Sequence, residues 1–425
     1  MQKVAFFLNN PTMPDQDYSS ILECNPGVGG SEYEFMLIPY LLEQRNNSIE
    51  PYLLINFNGK LPHKNIVSIS NLDESCKYCI DNSINEIVVD IKSFDKSVLD
   101  RYGDNLSVML WAHNNVSYPL LKLFHKLNYI KKIINCGREE LDLYRDNLAT
   151  LKSTYVYNIF PVKNKEYYLS KINNSESHNV VYMGSIIPAK GFHVLARAWK
   201  KVLKKVPDAN LYIIGTGKLY NRTAVLGKYN IAEKDYEAYF MKYLTDSDGN
   251  LLPSVHFEGL LTEEKYDVLG SCKVGVPNPT GGTECLPITS IEMQLMGCSI
   301  TTINHAAYLD TVYNHKYLYY RESQLSKYII KRLFEKGDSY DDLFGYVINK
   351  FGVEGNIQRW EYIILNVNKE MLEPVSGYAN QMKEFKDVLL RMKCAYPQLI
   401  ILPPIERFYN FFRYRILKHI DKLFW

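Results

Sequence analysis

Thr283-Glu284-Cys285-Leu286-Pro287-Ile288-Thr289-Ser290-Ile291-Glu292 is the stretch on which the reading of this chain turns. Before it, Val274-Gly275-Val276-Pro277 is short and apolar and reads as a buried strand, and Asn278 to Gly282 supply a polar turn that contains glycine. After it, Ile288, Ile291, Leu295 and Met296 recur at helical spacing. Pro287 suits the first turn of that helix, where an N–H would go unpaired anyway, and Gly297 stops it. A strand, a loop at its carboxyl end and a helix N-terminus aimed back at the loop form the arrangement with which open α/β sheets bind anionic ligands. Glu284 falls at the mouth of that loop and Glu292 lies further in, on the helix.

Working outward, the segments on either side repeat the same alternation. Val180 to Met183 reads as a strand, Gly184 to Ala189 as a loop and Lys190 to Lys205 as a helix, with Leu195, Ala198 and Val202 on one face. Leu211 to Ile214 is the next strand, followed by Gly215-Thr216-Gly217. Val255 to Phe257 and Ile300 to Ile303 continue the sheet, with a helix from Thr262 to Ser271 between strands. Upstream, Lys163 to Asn179 is polar and rich in Asn, Ser and Lys, and reads as a linker.

The first half gives an equivalent series, with strands expected at Val4 to Leu8, Pro51 to Phe57, Asn65 to Ile69, Glu86 to Asp90, Leu106 to Trp111 and Ile130 to Asn135, closed by Val156-Tyr157-Asn158. The pattern predicts two doubly wound α/β domains, 1–162 and 180–395, joined by a linker at 163–179 and followed by an appendage at 396–425. In the first domain, Gly27-Val28-Gly29-Gly30-Ser31-Glu32 follows the first strand. Ser31 and Glu34 fit a capping box for the helix that carries Met36, Leu37, Leu41 and Leu42. Such a loop lets a ligand approach the backbone, and a plain turn explains it equally well. It does not fit a nicotinamide-dinucleotide fingerprint, because the third glycine is misplaced and the next strand ends in Asn58 rather than an acid. His113, in Trp111-Ala112-His113-Asn114, stands just past a strand end, placed for a hydrogen bond or a shared proton, or for a purely structural role.

The whole chain sets bounds. It has 425 residues, a net charge of only +2 and eight scattered cysteines. The charge does not point to nucleic acid, the cysteines form no disulfide framework, and the N-terminus lacks a secretory apolar run, so a reducing cytoplasmic setting is expected. Two lookalikes are set aside. Asp246-Ser247-Asp248-Gly249 has the look of a metal-binding Asp-x-Asp but follows a helical stretch instead of ending a strand, and Cys76-Lys77-Tyr78-Cys79 has no partner pair. The tail from Ile405 to Trp425 places Phe408, Phe412, Ile416, Ile420 and Phe424 at four-residue intervals among Arg and Lys. This pattern suits a helix on an anionic membrane surface or one packed on its own protein.

These motifs, in this order, resemble glycosyltransferase family 4, retaining enzymes of the GT-B architecture in which two Rossmann-like domains face across a cleft. The likeness rests on Gly27 to Glu32, Trp111-Ala112-His113-Asn114, Gly184 to Lys190-Gly191, and the two acids Glu284 and Glu292 with seven residues between them. Phe351 to Trp360 looks like the family's late helical segment that carries a tryptophan. The resemblance implies a nucleotide diphospho-sugar donor, UDP- or GDP-linked, and a glycan or lipid-linked acceptor, with no metal or other cofactor required. It implies Glu284, Lys190 and His113 as catalytic residues. Gly184, Ser185, Gly215, Gly217, Cys285, Leu286, Ile288 and Glu292 would line the donor, and Gly29 and Gly30 would lie near the diphosphate and acceptor. Two departures stand out: Ser185 occupies a place where the family commonly has arginine, and Leu286-Pro287 replaces a position where glycine is common. A non-catalytic sugar-nucleotide-binding subunit and a sugar-nucleotide epimerase are the alternative functions.

Overall fold

The computed structural model describes residues 1–23, 25–45, 48–218, 223–375, 381–417 and 419. They form two compact units, Met1–Pro161 with Lys350–Asn410, and Val162–Asn349 with the stretch from Phe411 onward.

The first unit is built on a seven-stranded parallel sheet: β1 (Gln2–Leu8), β2 (Ile49–Ile55), β3 (Ile66–Ser68), β4 (Glu86–Asp90), β5 (Ser107–Ala112), β6 (Ile130–Asn135) and β7 (Ser153–Tyr155), in the order β3-β2-β1-β4-β5-β6-β7. β1 is central, pairing Gln2 with Ile49 on one side and Val4 with Glu86 on the other. Its side chains from Val4 to Phe7 are fully buried, as a strand covered on both faces requires. The chain winds one way from β1 to β3 and then crosses back to β4, so the switch point lies between β1 and β4.

The second unit carries β8 (Asn179–Met183), β9 (Asn210–Ile214), β10 (Val255–Gly259), β11 (Val274–Gly275) and β12 (Ser299–Ile300), all parallel, in the order β10-β9-β8-β11-β12. Its switch point lies between β8 and β11. The loops after these two strands, Gly184 to Lys190 and Pro277 to Pro287, therefore border one crevice at the carboxyl edge. The two doubly wound α/β units expected from the sequence are both present.

Several boundaries differ from those expected. The polar segment 163–179 belongs to the second unit: Asn164 caps a short helix, Lys165–Leu169, and buried Asn174 donates to the Cys272 carbonyl at 2.8 Å. The span 180–395 does not stay in one domain, since from Lys350 the chain returns to the first unit. Packing accounts for the return. Trp360, on the helix Val353–Leu365, is fully buried with its ring 4.6 Å from Trp111 and 5.8 Å from Phe6.

The closing strand is Ser153–Tyr155, not Val156 to Asn158, although Val156 N–H still reaches the Asn135 carbonyl at 2.9 Å. The run Ile300 to Ile303 is split, Thr302–Ile303 pairing with Leu318–Tyr319 in a separate two-stranded sheet. The helix Gly30–Gln44 is capped by Gly29 without a side-chain cap, so the Ser31/Glu34 capping box does not form. Glu34 is buried instead, accepts from Ile159 N–H at 3.1 Å, and has its carboxyl pKa pushed well up by burial.

The tail is helical over Ile405–Phe411 and continues as a wider π-type turn over Phe412–Leu417. Phe408, Phe412 and Ile416 are exposed, while Ile420 and Phe424 lie outside the described residues. No helix among the described residues is long and apolar enough to cross a membrane.

Candidate functional site

At the switch point of the second unit, backbone conformation comes first. β8 ends at Met183 and β9 at Ile214, and the next residues, Gly184 (φ +155°) and Gly215 (φ +141°), both have positive φ. A Cβ on Gly215 would stand 2.0 Å from the Gly184 carbonyl oxygen, so the two strand ends meet as bare backbone. Gly217 also permits a close approach, but to the protein itself: its N–H donates to the Ile231 carbonyl at 2.8 Å, and a Cβ there would meet Ala232. Ser185 is buried, with its hydroxyl 3.3 Å from the Thr216 carbonyl that accepts from it.

From this loop Lys190 reaches Glu284, Nζ to Oε1, at 2.7 Å. The two side chains are only 18% and 10% exposed. Glu284 is presented by a tight turn in which Thr283 sits at φ +63°, an uncommon conformation for a β-branched residue. Asn278 holds the turn together. Its Nδ2 donates to Glu284 Oε1 (3.0 Å) and to the carbonyls of Gly282 (2.8 Å) and Ala189 (3.1 Å), tying the β11 loop to the β8 loop. Buried Tyr308 donates to the Asn278 carbonyl at 3.0 Å. Burial, with the negative charge of Glu284 adding to it, pushes its hydroxyl pKa well up, so Tyr308 stays a neutral donor.

The helix that follows runs Ile288–Leu295, with Pro287 as its cap residue rather than its first helical residue. The first N–H groups of a helix, here from Ile288, have no intrahelical acceptor and carry the positive end of its dipole, whereas Pro287 has no N–H to give. Cys285 and Leu286 are buried in the loop before it. Within the helix, Glu292 pairs with Lys265 Nζ at 2.5 Å and accepts from the Tyr266 hydroxyl at 3.4 Å. Gly297, at φ +76°, ends the helix as the sequence suggests.

In the first unit, His113 follows β5. Its Nδ1 lies 3.4 Å from Asp90 Oδ2 at the end of β4, and its Nε2 is buried without a hydrogen-bond partner among the described residues. Burial would raise the Asp90 carboxyl, but hydrogen bonding and charge from His113, with the Lys92 N–H, outweigh it and hold Asp90 below its usual range. The ring packs 4.4 Å from Trp111 and 5.9 Å from Phe35 of the Gly30–Gln44 helix. Gly29 and Gly30 sit at the start of that helix, where Glu32 folds back over Gly29.

The second unit thus gathers Gly184, Ser185, Lys190, Gly215 and Glu284 around one crevice, with Cys285, Leu286, Ile288 and Glu292 along the adjoining loop and helix. His113, Gly29 and Gly30 belong to the first unit. Sequence reasoning missed Asn278, Tyr308, Lys265, Tyr266 and Asp90. Only Asn278 carried a local signal, as the first polar residue after an apolar strand. The lookalikes have ordinary explanations. Asp246 accepts from the N–H groups of Asp248 and Asn250, both at 2.9 Å, in a turn, and buried Cys76 and Cys79 have thiol pKa values pushed up to about 12.

Two doubly wound units, each built on a parallel sheet, define the chain as having the fold of GT-B glycosyltransferases. Residues 177–331, which lie in the second unit, match the family model described as Glycosyl transferases group 1. Among curated proteins the chain is 24% identical over 238 residues to an uncharacterized glycosyltransferase of Haemophilus influenzae. The match covers 54% of this chain and 60% of that protein, so it spans less than two thirds of the relative's length. Among solved structures, Anabaena Alr3699/HepE in complex with UDP and glucose superposes with a TM-score of 0.57 at 13% identity, over 86% of this chain and all of the other. A glycosyltransferase from Rickettsia africae gives 0.59 at 11% identity, over 87% of this chain and 99% of its own. At such identities the structural likeness speaks to the fold.

Proposed function

We propose that the protein is a retaining glycosyltransferase that moves a sugar from a nucleotide diphospho-sugar to a glycan or lipid-linked acceptor without a metal ion, in the synthesis of a surface polysaccharide or glycoconjugate. The observation that carries the reading is the Lys190–Glu284 pair, set at the β8/β11 switch point beside a helix N-terminus. The UDP and glucose in the HepE complex support a UDP-sugar as donor.

In this mechanism the acceptor oxygen bonds to the anomeric carbon on the face from which the diphosphate leaves. The bond from that carbon to the phosphate oxygen breaks, and a phosphate oxygen takes the acceptor's proton. The chain's task is to stabilise negative charge growing on the diphosphate. Lys190 supplies a cation, the loop at Gly184 and Gly215 permits close backbone approach, and the amides from Ile288 supply oriented donors. Glu284 holds hydroxyls of the transferred sugar and its charge eases positive character at the anomeric carbon. Glu292 accepts from the ribose hydroxyls. His113, with Asp90 fixing its ring, donates from Nε2 to the sugar, and Gly29 and Gly30 serve the diphosphate and acceptor. The setting is the cytoplasmic face of the membrane, with the Ile405 to Trp425 tail as a peripheral contact.

Incubating the protein with a panel of UDP- and GDP-sugars and following nucleotide diphosphate release tests the reading. Release with one donor, lost in Lys190→Ala and Glu284→Ala variants that stay folded, is expected. Ser185 favours a second reading, a non-catalytic sugar-nucleotide-binding subunit, because its hydroxyl is turned to the Thr216 carbonyl and the loop gains no second cation there. Binding of a donor without release or transfer under any condition would select that reading.

A further inference from the structure

The helix Gln381–Ala395 is inverted with respect to an ordinary surface helix. Its buried positions include Lys383, Lys386, Asp387 and Lys393, while Phe385, Val388 and Met392, which share one face at spacings of three and four, are 51%, 51% and 42% exposed. The charged face is docked on the first unit. Lys383 pairs with Glu139 and with Asp142 (3.2 Å), Asp387 with Arg145 (3.2 Å), and Lys393 with Asp146 (3.4 Å). Lys386 pairs with Glu406 at 2.9 Å and donates to the Leu143 carbonyl at 3.0 Å.

Buried ion pairs of this kind are a weak source of stability compared with apolar packing, so stability alone does not account for turning the apolar face outward. The exposed stripe continues beyond the helix through Tyr396, Ile401 (81% exposed) and Leu402. Large apolar side chains exposed along one helix face and again in the turn after it are the kind of surface that marks an interaction site.

What surrounds it is basic. Lys122 and Lys126, exposed on the helix Tyr118–Lys126, line a cleft with Ile400 and Leu402. Arg391, 77% exposed with its Nε 3.0 Å from Asp387 Oδ2, projects from the helix itself. Against these stands the exposed Glu384. A twofold contact between two copies would bring the same cations face to face. An anionic lipid surface complements them while its acyl boundary takes up the apolar stripe.

We propose that the face formed by the Gln381–Ala395 helix and the turn through Leu402 seats the first unit on an anionic bilayer surface. This contact is separate from the Ile405 to Trp425 tail and independent of the transfer chemistry.

Flotation of the full-length protein with vesicles of phosphatidylcholine and phosphatidylglycerol, against phosphatidylcholine alone, tests the proposal. Binding to the anionic vesicles is expected to fall roughly tenfold or more in Phe385→Ser/Met392→Ser. In Lys122→Ser/Lys126→Ser it is expected to fall about fivefold for each lysine removed. The substituted positions are exposed, so thermal melting monitored by circular dichroism should be unchanged. If the helix variant fails to fold, the lysine pair on a different helix decides. A Phe412→Ser/Ile416→Ser variant separates the tail: loss of all binding there, with the helix and lysine variants unaffected, overturns the proposal. So does equal binding to both vesicle types, absence of binding, or a dimer seen by light scattering that the Phe385→Ser/Met392→Ser variant dissolves.

Discussion

Replacing Lys190 with alanine separates a catalytic cation from a structural one. The lysine is 2.7 Å from Glu284, with side chains 18% and 10% exposed. An exposed pair contributes about 0–1 kcal/mol, and breaking a fully buried one costs about 3–5 kcal/mol. With some solvent access and with Asn278 still donating to Glu284 at 3.0 Å, a loss near 1–2 kcal/mol is expected. This lowers the melting temperature of the second unit by a few degrees. The rate effect is of a different order: removing a donor aimed at developing charge costs about 2.7–4 kcal/mol, or 10²–10³ in turnover. The assay is steady-state nucleotide diphosphate release beside a melt of the same preparation, at saturating donor so that weaker binding does not pass for slower chemistry. Lys190→Arg should recover part of the loss, because charge returns in a different shape. If Lys190→Ala turns over within about threefold of the parent while melting lower, the lysine serves only to hold Glu284, and the proposed role is wrong.

Three further outcomes are expected. Glu292→Gln should raise the donor KM about tenfold or more with little change in kcat, since it removes a charged acceptor for the ribose and releases Lys265, and calorimetric titration with UDP checks it. Gly215→Ala should destabilise the second unit by more than about 2 kcal/mol, because the added Cβ meets the Gly184 carbonyl oxygen at 2.0 Å with φ at +141°, and urea unfolding would show it as a lower midpoint. Acid should weaken the first unit through His63, whose Nε2 lies 2.7 Å from the Met36 carbonyl and whose pKa burial lowers from 6.5 to about 4. Folding then favours the neutral ring. Its contribution is complete above about pH 6.5 and is lost as pH falls toward 4, by at most roughly 3 kcal/mol. His63→Asn should flatten that part of a melting-temperature profile against pH, and an unchanged slope would exclude His63 as its source.

The parallel strands were legible because a strand covered on both faces must be a short apolar run, and Val4 to Leu8, Glu86 to Asp90, Val180 to Met183 and Leu211 to Ile214 are such runs bounded by turn residues. Glu284 and Glu292 could be placed because strand, turn and helix start follow one another within a few residues. Lys265, Tyr266 and Tyr308 could not, because each reaches the site from an element whose own periodicity records only which face is buried. The Ser31/Glu34 box shows a local rule losing to a distant partner: Glu34 is within reach of the first turn but is buried against the Ile159 amide, 125 residues away.

The return of the chain at Lys350 was hidden for the same reason on a larger scale. Helical spacing in Gln381–Ala395 would assign Phe385, Val388 and Met392 to the inside, and the charged residues to solvent. That rule assumes the surface being met is apolar. Here the surface offers Glu139, Asp142 and Asp146, themselves buried, so lysines are drawn inward and the apolar stripe is left outside. The return is anchored by Trp360 packed on Trp111 and Phe6, and the exposed stripe has a separate cause, an acidic surface on the first unit; both can be recognised only once its strands and short helices are assembled.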